Sequence, residues 1–315
     1  MSAGFNRRAF LQGLAAVVPA CAVAGAWAEA WAPVYSRVVP LSWELAETVL
    51  ALGQVPIALP LPDWYRRTIV EPPLPEGVID VGLLYQPSFT LLGQLRPDLL
   101  ILTPGHVGLK SMLERLAPTA TFGGYMSAAQ PYPALQQETR QMAALLACAA
   151  RGEALVNDTE QLLDTVRQRL ASRPDLLARP VLVADAVDEH HLRVYGAGSL
   201  FDTVLSRIGV NNVAHPGDAA ATPWVSNSAG YALVPLQRIA ALPEVNLLLV
   251  GPLAPGVDMA FRRSPVWQAL PCVRDRRVAL MPVIAPYGGL VSLQRFARAV
   301  EAALYPMAHQ EPASV

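Results

Sequence analysis

Two patterns alternate along the chain: short runs of consecutive apolar residues, and longer stretches in which apolar positions recur every three or four residues. Buried strands produce the first pattern and amphipathic helices the second. Residues 38–41 predict a strand and 43–52 the helix after it. Residues 55–58 predict a second strand. Residues 99–103 predict another, closing in the turn Pro104-Gly105 ahead of a helix over 109–116. A second series opens after Pro180, with strands over 181–184, 247–250 and 278–281 and helices over 200–208 and 290–304. Strands spaced by helical stretches predict an α/β protein with mainly parallel sheets. Between the series lies a proline-free helical tract, 136–171, with Leu155, Leu162, Leu163, Val166 and Leu170 close to helical spacing and Gly152 as a predicted break. The organisation expected is an N-terminal lobe over 33–148, a connecting backbone helix over 149–174 and a C-terminal lobe over 178–306. A single helix between lobes acts as a rigid strut, and a ligand belongs in the cleft where strand ends and their loops converge.

Bulk composition narrows the function. At 315 residues, 53% hydrophobic and 16% charged, the chain is long enough for two cores and too apolar to be disordered. A formal net charge of −1 offers no field for nucleic acid or acidic lipid, so no nucleic-acid partner is expected.

The first residues carry the most specific short signal. Asn6-Arg7-Arg8-Ala9-Phe10-Leu11-Gln12 reads as a twin-arginine export motif, followed by an acid-free apolar stretch and the small-x-small site Ala26-Trp27-Ala28. Residues 1–28 are therefore expected to be a signal peptide, and the mature chain to lie in the periplasm. Val18-Pro19-Ala20-Cys21 offers a competing reading, lipidation at Cys21. The other two cysteines, Cys148 and Cys272, sit among apolar neighbours and are read as buried free thiols.

Catalytic chemistry finds no support. The chain has no phosphate-cradling glycine loop and no Gly-x-Ser-x-Gly elbow, and no catalytic set is selected. Asp188-Glu189-His190-His191 is read as a solvated loop, because adjacent side chains point apart and rarely ligate one ion. No metal site and no intrinsic cofactor are expected. The remaining candidates are aromatic, Trp43, Trp64, Tyr65, Tyr85, Tyr125, Trp224, Tyr231 and Tyr287. Several follow predicted strands, and together they suit a bulky ligand with flat or aliphatic faces.

Three stretches carry a resemblance to a known family. They are Glu71-Pro72-Pro73-Leu74-Pro75 running into Val78-Ile79-Asp80-Val81-Gly82-Leu83, Arg193-Val194-Tyr195-Gly196 leading to Ser199-Leu200-Phe201, and Pro265-Val266-Trp267-Gln268-Ala269-Leu270-Pro271 with Val273-Arg274. Over nearly the whole mature chain the sequence resembles the ferric hydroxamate-binding proteins of siderophore ABC importers. The resemblance implies a class III, helical-backbone binding protein that captures a ferric siderophore, works as a monomer and docks on an inner-membrane permease. By the same resemblance it is not expected to be an enzyme. The same fold binding haem, cobalamin or another metal chelate is the alternative. Trp43, Trp224 and Tyr287 match aromatic positions that line the family's cleft. Leu84 stands where the family has an arginine that bonds the iron–hydroxamate oxygens, His106 where it has a tyrosine and Ala285 where it has a tryptophan. Thr68, Leu102 and Ala214 also replace aromatics, and Arg193 takes a place usually apolar. The resemblance, together with the aromatic candidates Tyr65 and Tyr85, points to Trp43, Tyr65, Leu84, Tyr85, His106, Arg193, Trp224 and Tyr287 as the cleft set, with Arg193 and His106 as alternative donors. It suggests a roomier cleft and a siderophore unlike ferrichrome, carboxylate groups being candidates. Glu114 and Asp202 are placed as permease-docking acids.

Overall fold

The computed structural model describes residues 35–215, 224–253 and 255–308; the signal-peptide reading and the Cys21 alternative fall outside them. The N-terminal half contains β1 (Val38–Pro40), α1 (Trp43–Ala51), β2 (Ala58–Leu59), α2 (Pro62–Thr68), β3 (Ile79–Asp80), β4 (Gly82–Leu83), β5 (Gln86–Pro87), α3 (Phe89–Leu95), β6 (Leu99–Leu102), α4 (Lys110–Leu113) and β7 (Thr119–Thr121). Strands β1, β6 and β7 form a parallel sheet in that order, and β2–β3 and β4–β5 are short two-stranded ladders. Every residue of β1 and β6 is buried, as strands covered on both faces must be. The strand expected over 55–58 starts later, at Ala58. Pro56 has no N–H for a ladder, and Val55 is exposed.

Two helices follow, α5 (Pro131–Leu145) and α6 (Ala149–Ala171). The break in the helical tract is not at Gly152. It falls at residues 146–148, where Ala147 takes a positive φ of 54°. Gly152 lies inside α6 for a packing reason: a Cβ there would sit 2.4 Å from Ala143 Cβ, so the glycine lets α6 approach α5.

The C-terminal half is built on five strands, β8 (Val181–Ala186), β9 (His191–Tyr195), β10 (Tyr231–Pro235), β11 (Asn246–Gly251) and β12 (Val278–Val283). Helices α7 (Leu200–Arg207), α8 (Leu236–Ile239), α9 (Pro255–Arg263), α10 (Pro265–Ala269), α11 (Pro271–Arg274) and α12 (Leu290–Ala308) complete it. The sheet order is β10-β9-β8-β11-β12. Strands β8, β11 and β12 are parallel, while β9 and β10 run antiparallel at one edge. One face carries Val181, Val183, Tyr195 and Leu248 against α6, α7 and α12, where Phe201 and Phe296 stack at 4.0 Å. The other carries Leu182, Ala184, Leu192, Val194 and Leu247. Among the described residues no helix is long and apolar enough to cross a membrane. Cys148 and Cys272 are free thiols; Cys272 is buried and Cys148 half-buried.

Candidate ligand-binding cleft

Parallel strands deliver their following loops to one edge of the sheet, and the cleft is built there. Ser42 and Glu44 follow β1, Thr103, Pro104 and Gly105 follow β6, and Gly123, Met126 and Ser127 follow β7. Leu84 and Tyr85, from the β4–β5 turn, and Tyr287, from the β12–α12 loop, complete an open pocket of about 340 Å³. Tyr85 lies against Gly105, where a Cβ would meet its ring at 2.8 Å. Glu44 accepts from Ser42 Oγ at 2.5 Å, and burial lifts its carboxyl above the usual range.

A second polar cluster lies on β8 to β10, in the sheet whose β12–α12 loop delivers Tyr287 to the pocket. Asp185 Oδ2 accepts from Arg193 Nη1 at 3.1 Å and from the Tyr195 hydroxyl at 2.8 Å. The Arg193 guanidinium lies 5.1 Å from the Tyr231 ring centroid. Asp185 Oδ1 is buried without a hydrogen-bond partner among the described residues, and burial raises the Asp185 carboxyl. Tyr287, which lines the pocket, feels the charges of Arg193, Asp185 and Glu44. Burial pushes its phenol up to about 12, so it is a neutral hydroxyl donor.

Below the cleft the halves are clasped together. Glu47, fully buried on α1, accepts from Ser292 N at 2.8 Å and Ser292 Oγ at 2.7 Å in the first turn of α12. Side chains at Gly288 or Gly289 would collide with Glu47, with Cβ positions 2.8 and 3.1 Å from its oxygens. Desolvation pushes the Glu47 carboxyl up to about 7. The Tyr125 hydroxyl donates to the Tyr287 carbonyl at 2.8 Å, and Arg295 donates to the Ile69 carbonyl at 2.8 Å and pairs with Glu71 at 3.1 Å.

Of the cleft residues expected from sequence, Leu84, Tyr85 and Tyr287 line the pocket together; Arg193 is not among its lining residues, though its charge is felt at Tyr287. The others are placed differently. Tyr65 is fully buried, its hydroxyl donating to the Pro72 carbonyl at 2.8 Å, so it is a core residue and not a cleft residue. His106 is buried as well. Its Nδ1 accepts from Thr103 N at 3.1 Å, which leaves the proton on Nε2 to donate to the Leu84 carbonyl at 2.8 Å. Both nitrogens are spent tying two cleft loops together, so His106 is a strut and not a ligand donor. Trp43 donates from its indole to the Pro60 carbonyl at 2.8 Å, and its ring lies 5.9 Å from Trp64. Trp224 packs on the sheet face opposite Arg193, beside the cluster of Leu192 and Val194. Ala285 is buried in a cluster with Tyr65 and Ile69, so the small residue there admits close packing of the halves and does not widen the cleft. The two acids also differ. Glu114 is exposed, 3.8 Å from Lys110, whereas Asp202 is buried and held by Asn212 Nδ2 at 2.8 Å and His215 Nδ1 at 2.7 Å, so it is not displayed for docking. The glycine-framed Glu47 clasp went unseen in the sequence. The pair Gly288-Gly289 just ahead of a predicted helix was its available signal.

Known proteins share this architecture. The iron(3+)-hydroxamate-binding protein FhuD of Escherichia coli (strain K12) is 32% identical over 270 residues, covering 85% of this chain and 87% of the relative. The crystal structure of the siderophore-binding protein FhuD from Vibrio cholerae, bound to Fe3+–Desferal, superposes with a TM-score of 0.76 at 23% identity over 87% of this chain and 99% of that one. The petrobactin-binding protein YclQ from Bacillus subtilis superposes with a TM-score of 0.67 at 17% identity, over 86% of this chain and 92% of that one. The sequence pattern of the periplasmic binding proteins matches residues 38–285, and with that match and the Escherichia coli relative the chain belongs to the periplasmic binding protein family.

Proposed function

We propose that this protein is an exported, periplasmic solute-binding protein that captures a ferric siderophore in the cleft and hands it to an ABC importer. The observation that carries the reading is the cleft itself: an open pocket at the strand ends, aromatic at Tyr85 and Tyr287, in a chain 32% identical to an iron(3+)-hydroxamate-binding protein. A hexadentate siderophore already fills the iron octahedron, so the protein needs no metal ligand of its own. It has only to stack on the chelate and donate a few hydrogen bonds. Export by the twin-arginine motif at residues 6–12 and action as a monomer belong to the same proposal. So does docking on a permease through exposed acids such as Glu114.

Tryptophan-fluorescence titration of the mature chain against a panel of ferric siderophores tests the function. Saturable quenching by at least one of them, with a Kd of about 1 µM or tighter, is the expected result. Silence across the panel, together with a Soret band on reconstitution with haem, would overturn it in favour of another chelate.

A further inference from the structure

Among the described residues, none that lines the pocket is positively charged. Ser42, Glu44, Leu84 and Tyr85 form much of its N-terminal wall, and the nearby imidazole of His106 is committed to Thr103 and Leu84. Arg193 lies on β9 opposite Asp185, near the carboxyl end of β8 and in the sheet whose β12–α12 loop delivers Tyr287 to the pocket, and its charge is felt at Tyr287. Its position is built rather than incidental. Asp185 takes Nη1 at 3.1 Å, Tyr231 underlies the guanidinium at 5.1 Å, and the Tyr195 hydroxyl fixes Asp185 from behind at 2.8 Å. Asp185 is a positioning residue: it holds one edge of the fork. The side chain is about one-third exposed, and Tyr287 presents a neutral hydroxyl beside it. A planar cation held at one edge and backed by a ring offers its other N–H groups to a pair of oxygens, the geometry that suits a carboxylate.

We propose that Arg193 is the specificity-determining residue of the cleft, and that it selects a ferric chelate carrying carboxylate and net negative charge over neutral or cationic trihydroxamate chelates. The chelate seats its anionic edge on the Arg193–Tyr287 wall and its apolar backbone on Leu84, Tyr85 and Met126. This inference rests on the ferric-siderophore reading but fails separately from it.

The test uses the mature protein, the Arg193→Ala and Arg193→Lys variants, and three probes of defined charge. These are a ferric citrate-based hydroxamate bearing free carboxylate, neutral ferrichrome and cationic ferrioxamine B. The expected result is that the wild type prefers the anionic probe by about tenfold or more, and that Arg193→Ala loses about tenfold in affinity for it. The same substitution should change the other two by less than about twofold, and Arg193→Lys should keep a preference for the anion while losing part of the affinity. Because Arg193→Ala leaves Asp185 without its cation, a thermal melt accompanies each titration, and Arg193→Lys carries the comparison if Arg193→Ala does not fold. Equal affinity of the wild type for all three probes would overturn the inference and leave the function intact, as would equal losses for all three in the variants. Failure of every probe to bind would overturn the function itself.

Discussion

Glu47 shows how one side chain serves both packing and titration. It is fully buried, its two oxygens serve Ser292 at the start of α12, and desolvation raises its carboxyl to about 7 from an ordinary 4.5. A carboxyl whose folded value lies above its unfolded one adds stability that is complete below about pH 4.5 and lost as pH rises through about 7. The loss is on the order of 3 kcal/mol, and Glu44, raised by the same burial, acts in the same sense. Urea melts at pH 5 and pH 8 check this. Wild type should lose stability between the two, and Glu47→Gln should lose clearly less, whereas parallel curves would contradict the assignment. Neither this clasp nor the role of His106 was legible in the sequence, because a lone Glu or His says nothing about which backbone groups surround it. His106 was expected to face the ligand. The Thr103 amide and the Leu84 carbonyl, which decide otherwise, are contributed by loops whose meeting only the fold determines.

Among the elements, the central parallel strands were the most legible. Residues 181–184, 247–250 and 278–281 are near-continuous apolar runs, and they form β8, β11 and β12 with hydrogen-bonded neighbours in register. The antiparallel pair β9–β10 was missed. His191, Arg193 and Tyr231 interrupt the apolar pattern, Arg193 being paired with Asp185 and set over the Tyr231 ring. The helical tract was found but its break was misplaced, since a glycine inside a helix signals a close neighbour as readily as an end. Gly152→Leu tests the corrected reading. With Ala143 Cβ only 2.4 Å from the position of a new Cβ, α5 and α6 must separate, and the variant should lose about 2–3 kcal/mol in chemical denaturation. A neutral or stabilising effect, as expected of a helix-end glycine replaced by a better helix former, would contradict it.

At the scale of the molecule, among the described residues the halves are tied together by Glu47–Ser292, Tyr125–Tyr287 and Arg295 with Ile69 and Glu71. A long helix, α6, packs on α12, where Gln294 donates to Thr159, and buries Val156, Leu163, Val166 and Leu170 in the C-terminal core. Closure on ligand is therefore a small adjustment and not a hinged collapse. Small-angle scattering should show the radius of gyration falling by less than about 1 Å on addition of a saturating ferric chelate, and a contraction of several ångströms would contradict the clasped arrangement. The two-lobe plan was visible in the sequence because it follows from strand and helix periodicity. The distribution of charge across the cleft was not, because it depends on which wall each side chain faces. Whether the cleft carries iron in a siderophore is tested most directly by native mass spectrometry of the mature protein, after incubation with iron-loaded supernatant from its own iron-starved culture. The expected result is a one-to-one complex whose extra mass contains one iron and an organic chelator bearing carboxylate. A protein that stays unliganded, or that carries an iron-free solute, would contradict it.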